Sequence, residues 1–124
     1  MDNARLAAVL TTTADLLEQD DTRCIELYGA PVGQPVSMVD HLIWRACIGP
    51  FEEWREEWDR IYREQGASAA AAWSADQEAV RRQAFKLIFP RGIHSPAATA
   101  ASVRALAAEL SAEPEHARTT PQEA

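Results

Sequence analysis

The sequence predicts an all-α protein, a single-domain bundle of about five helices with one short extended segment at residues 23–28. Three observations carry this reading. Apolar residues recur at spacings of three and four through most of the chain, the repeat of a helix with one buried face. Gly and Pro fall between the periodic stretches, at 29–35, 49–50, 66 and 90–96, where they stop or start helices. Only one run looks like a strand, and a lone strand has no partner with which to form a sheet.

The first helix is expected over residues 3–19, capped by Asp2 or Asn3. Leu6, Val9, Leu10, Thr13, Leu16 and Leu17 form its buried stripe. Gln19, Asp20, Asp21 and Thr22 read as its end. The next run, Arg23 to Tyr28, places Cys24, Glu26 and Tyr28 on one face of an extended segment packed against the helices. Residues 29–36, GAPVGQPV, are a loop.

Ser37 is expected to open the second helix, with Asp40 three residues on as its capping-box partner. Met38, Val39, Leu42, Ile43 and Ala46 form a broad apolar face, and Trp44, Cys47 and Ile48 extend it around the helix. Only Asp40, His41 and Arg45 interrupt it. A helix apolar on nearly every side is covered on more than one, so this one is expected at the centre. Gly49 ends it and Pro50 starts the third helix, which Gly66 stops. There Phe51, Trp54, Trp58, Ile61 and Tyr62 oppose a charged face running from Glu52 to Glu64. The early glutamates complement the helix dipole.

The fourth helix is expected from Ser68 or Ser74 to Phe89, with Trp73, Val80, Ala84, Leu87 and Ile88 as its core stripe and Phe85 and Phe89 on another side. The fifth is expected to start with Ser95 as cap and Pro96 in first position, burying Val103, Leu106, Ala107 and Leu110. The bundle domain is thus drawn at 1–111, and residues 112–124 have the composition of a disordered tail.

The formal charge of −7 argues against nucleic acid or an anionic membrane as the main partner. Arg81, Arg82, Lys86 and Arg91 are a local basic cluster, too small for a groove-reading surface, so a DNA-binding regulator is the least favoured reading. Two cysteines, Cys24 and Cys47, match no zinc motif or disulfide framework and read as free thiols. The N-terminal run carries Asp2 where a signal peptide needs positive charge, and no stretch reaches the ~20 apolar residues of a membrane span. A cytoplasmic location is the expectation.

The chain holds no phosphate-binding loop, dinucleotide fingerprint, nucleophile elbow, HExxH, calcium loop or CxxC. No cofactor and no metal ligand set is therefore assigned, and a binding role stands ahead of catalysis. The candidate ligand or partner residues are Asp40, His41, Trp44, Arg45, Trp54, Trp58 and Tyr62. They would wall an aromatic pocket between helices two, three and four, with Asp40, His41 and Arg45 as its polar groups. Trp54, Trp58 and Trp73 are expected in one core cluster, which leaves Trp44 as the aromatic without an obvious place. A weaker anion site is drawn at Arg91, His94 and Ser95, beside the expected start of the fifth helix.

Ala- and Arg-rich helices with one lysine, Lys86, are the composition of a high-GC bacterium. The run ADLLEQDD with GQPVSMVDHLIWRACIG resembles small helical actinobacterial proteins. That resemblance spans under half the chain and implies no activity. The favoured function is a small acidic helical binding or regulatory protein: an adaptor, inhibitor or accessory subunit. Its expected partner is a protein or a second copy in a homodimer, because spare apolar faces in a small bundle are often buried that way. The alternative is a ligand-binding protein or enzyme using the pocket around His41 and Trp44.

Overall fold

Five α-helices in chain order build the molecule, in a computed structural model that describes residues 2–112. They are α1 (Asn3–Tyr28), α2 (Val36–Ile48), α3 (Phe51–Gln65), α4 (Ala67–Ile88) and α5 (Ala100–Ala112), with a 3₁₀ turn at Gly92–His94. The tail expected at 112–124 lies outside the described residues except for Ala112, which closes α5.

The extended segment expected at 23–28 is helical. Asp20 and Asp21 do not break α1, because Asp21 is put to use inside the fold. Its buried carboxylate accepts the Ala100 N–H at 2.7 Å and so caps the start of α5. The Thr22 hydroxyl returns to the Glu18 carbonyl, which keeps the helix self-sufficient at that point. The stop comes instead at Gly29, whose φ of 82° lets its N–H close on the Ile25 carbonyl.

That extra length makes α1, and not α2, the central helix: it packs on α2, α4 and α5. Leu6, Val9, Leu10, Thr13 and Leu17 of the expected stripe are buried, Leu16 is half-buried, and Ala14 joins them. Fully burying a leucine contributes roughly 1.5–3 kcal/mol, so Leu10 and Leu17 are major terms. Thr13 is wholly buried too, and its hydroxyl is satisfied by the Val9 carbonyl at 2.8 Å. α2 adds Val39, Leu42 and Ile43, α4 adds Val80 and Ala84, and α5 adds Val103, Ala107 and Leu110 to one continuous core. α5 runs antiparallel to α1, and Arg104 clamps the pair by reaching Asp15 and Glu18, each at 2.8 Å.

Two helix starts differ from expectation. α2 begins at Val36 after Pro35 with no side-chain cap, and Asp40 turns to Arg81 on α4 rather than back to Ser37. α5 begins at Ala100, where Thr99 and Ser102 exchange backbone-to-hydroxyl hydrogen bonds at 3.0 and 3.2 Å. Ser95 and Pro96 lie upstream in a connection that an antiparallel bridge, Gln34 to Ala98, ties to the α1–α2 loop.

α3 stands apart from this core. None of its residues joins the main buried cluster, and it packs chiefly on α4. Gly66 alone separates the two helices, at φ 96° and ψ 175°, a conformation open essentially to glycine only. It ends α3 through its N–H to the Tyr62 carbonyl and starts α4 through its carbonyl to the Ala70 N–H. Of the two expected starts of the fourth helix, Ser68 is within one residue of the observed Ala67, so the Ala-rich stretch is the first half of α4 and forms a hairpin with α3. Among the described residues no helix is long and apolar enough to cross a membrane.

Candidate functional site

The break at Gly49–Pro50 swings the chain sharply from α2 into α3. It leaves a groove of about 640 Å³ between α1, the outer face of α2 and the first residue of α3. Thr12 and Leu16, one turn apart, give its α1 wall. His41, Trp44, Arg45 and Ile48 give its α2 wall, and Gly49, Pro50 and Phe51 close one end. The groove is partly open to solvent, and its lining is mainly apolar.

Trp44, which the core stripe of α2 leaves over, is half-buried here. Its ring meets Trp54 edge-on, with centroids 6.0 Å apart. Trp54 in turn stacks on Phe51 at 5.9 Å and on Trp73 at 5.7 Å, and its indole N–H donates to the Gln77 side-chain oxygen at 2.6 Å. This aromatic stack buttresses the groove and fixes the angle between α2 and the α3–α4 hairpin. The expected cluster of Trp54, Trp58 and Trp73 is thus divided. Trp58 stacks on Tyr62 at 5.2 Å farther along α3, away from the groove.

Arg45 and His41 are both exposed at the rim. Among the described residues no carboxylate lines the groove and none forms an ion pair with Arg45. Asp40 lies toward the α4 side, where Ser37, Asp40, His41, Trp44 and Arg81 line a shallower hollow. Arg81 joins Asp40 and Glu78 across the α2–α4 contact. Its hydrogen bonds hold the Glu78 carboxyl below its ordinary range, and the two acids raise the Arg81 guanidinium. Below them, burial pushes the Cys47 thiol up to about 11 against the opposing pull of Arg5 and Arg81. Cys47 is therefore a packed, protonated thiol at neutral pH.

Of the seven candidate residues, the structure brings His41, Trp44 and Arg45 together on the groove and places Trp54 directly behind them. Asp40, Trp58 and Tyr62 lie elsewhere. Thr12, Leu16, Ile48, Pro50 and Phe51 complete the wall. Their signal in the sequence is the one-turn spacing of Thr12 with Leu16, and of His41, Arg45 and Ile48, on facing helices. Arg91, His94 and Ser95 lie in or beside the short 3₁₀ turn and do not sit at the N-terminus of α5, which starts at Ala100. The Ser95 hydroxyl accepts the Arg91 N–H at 2.9 Å, and the first amide of α5 is already taken by Asp21. Among the described residues no group of three or more His, Cys, Asp or Glu side chains is placed to hold a metal ion.

The structure defines the class, an all-α helical bundle with a lateral hairpin. No protein-family model, curated protein or solved structure matches the chain.

Proposed function

We propose that this chain is a small, non-catalytic helical binding protein, an adaptor, inhibitor or accessory subunit, that docks a segment of a partner protein in the α1–α2 groove. The observation that carries the reading is the groove itself: an open, apolar channel walled by Leu16, Trp44, Ile48 and Phe51. Small-molecule sites enclose most of their ligand's surface, whereas an apolar groove open on one side suits side chains presented by a helix or an extended peptide. Trp and Arg are the side chains that most often anchor such contacts, and here Trp44 and Arg45 are neighbours. With no acid among the described residues in the wall and none of them paired with Arg45, the fitting segment presents an apolar side chain flanked by a carboxylate.

The test begins with a stoichiometric complex isolated from the host and its partner purified separately. Trp44→Ala should weaken binding at least about tenfold, and Arg45→Ala about three- to tenfold, with helicity unchanged. Unaltered affinity in both variants would refute the reading. The second reading, a small-molecule site or enzyme at the same groove, rests on the exposed His41 beside Trp44. It predicts that a ligand copurifies with the chain and is lost in His41→Ala. A DNA-binding role gains little support, since Arg81 and Arg82 are both engaged by Glu78.

A further inference from the structure

The groove has neighbours. His41 and Trp44 wall it and also wall the hollow on the α4 side of α2. Asp40 and Arg81 are shared in turn between that hollow and one of about 250 Å³ that Arg82, Phe85 and Lys86 line on α4. Asp40 and Phe85 then border a further hollow of about 600 Å³, whose wall includes Pro35, Val36 and Ile93. Hollows with common wall residues adjoin, so together they form one track over the outer side of α2 and onto α4. Among the described residues Asp40 is the one acid in these walls, and Arg81 holds it. The cations are less committed. Arg45 and Lys86 are exposed, and no described residue forms an ion pair with either. The Arg82 side chain is 71% exposed and reaches only Glu78, at 3.4 Å, which Arg81 already engages. Residues 79–108 contain Arg81, Arg82, Lys86, Arg91 and Arg104 but no Asp or Glu.

We infer that the docked segment runs past the groove: it crosses α2 and continues onto α4, where Arg82 and Lys86 receive acidic side chains and Phe85 an apolar one. This rests on the groove reading and adds a second contact site to it. Charge complementarity chooses the occupant. The chain carries a formal charge of −7, so an acidic segment is repelled by most of its surface and drawn to this track. Arg82 and Lys86 lie one helical turn apart on α4, so carboxylates one turn apart on a helix, or on the same edge of a strand, meet both. A nucleic acid fits poorly, because Trp44, Val36, Phe85 and Ile93 occupy much of the wall and few cations remain for phosphates.

A random peptide library displayed on phage and panned on the full chain supplies a defined probe: the most enriched peptide, synthesised with a fluorescent label. It should combine apolar with acidic residues. Trp44→Ala, and Arg82→Glu combined with Lys86→Glu, should each weaken its binding at least about tenfold with helicity unchanged. Lys86→Gln should weaken it less than Lys86→Glu, a gradation that follows charge and not folding. Arg63→Glu, the same charge change at an exposed position of α3, should shift affinity by less than about twofold. Loss confined to Trp44→Ala would overturn the inference and leave the groove reading standing. Indifference to Trp44→Ala and to the Arg82 and Lys86 reversals alike would sink both. Loss confined to those reversals, or enrichment only of peptides without acidic residues, would overturn the inference. So would self-association of the wild type that sedimentation equilibrium shows to be abolished by Lys86→Glu, since a second copy would then be the occupant.

Discussion

At the scale of single residues, two acids that look alike in sequence do different work. Asp21 reads as a helix breaker, yet it stays within α1 and its buried carboxylate caps the start of α5. Asp21→Ala should cost about 1–2 kcal/mol in urea unfolding, the usual loss for a helix cap, while Asp21→Asn keeps an acceptor and loses less. Equal losses for the two would show that the cap is not what matters. Glu78 illustrates the pH side. Its carboxyl is held below the ordinary 4.5 in the folded chain, so the unfolded chain binds the proton more readily. The contribution of this pair is complete above that value and is lost as pH falls through the lowered one. Unfolding free energy should therefore fall less steeply between about pH 5 and 3 in Glu78→Gln than in the wild type. Matching slopes would mean that the pairing with Arg81 contributes nothing to acid stability.

At the scale of elements, the periodicity reports the helices and their buried faces well, because both are local. Leu10, Leu17, Val39, Ile43 and Val103 were legible from spacing alone, and so were the breaks at Gly49–Pro50 and Gly66. The errors arose where a distant residue supplies the decisive partner. Asp21 capping a helix seventy-nine positions away is invisible to local rules. Asp40 likewise finds Arg81 forty-one positions on, not the Ser37 beside it. The groove was half legible: helical phasing isolates Trp44 with His41 and Arg45. It does not say that α1 supplies the facing wall, because that depends on how the helices cross. The α3–α4 hairpin rests on one backbone conformation. Gly66→Ala would meet no atom within 4 Å, so its cost is purely conformational, about 1–3 kcal/mol. Hydrogen exchange should show that cost as faster opening of α3, with α1 and α5 unaffected. Uniform loosening of every helix would contradict the separation of hairpin from core.

At the scale of the whole molecule, α1 organises one core and leaves two surfaces with exposed apolar side chains. One is the lateral groove under the Trp44–Trp54–Trp73 stack. The other is the end where Leu27, Tyr28 and Ile93 are exposed. The most direct measurement of the central claim is photo-crosslinking in the host from a probe in place of Arg45, compared with the same probe in place of Ala108 on α5. The groove reading predicts one discrete protein adduct from position 45, lost when Trp44→Ala is added and absent from position 108. The same adducts from both positions, or an adduct at 45 that survives Trp44→Ala, would contradict it.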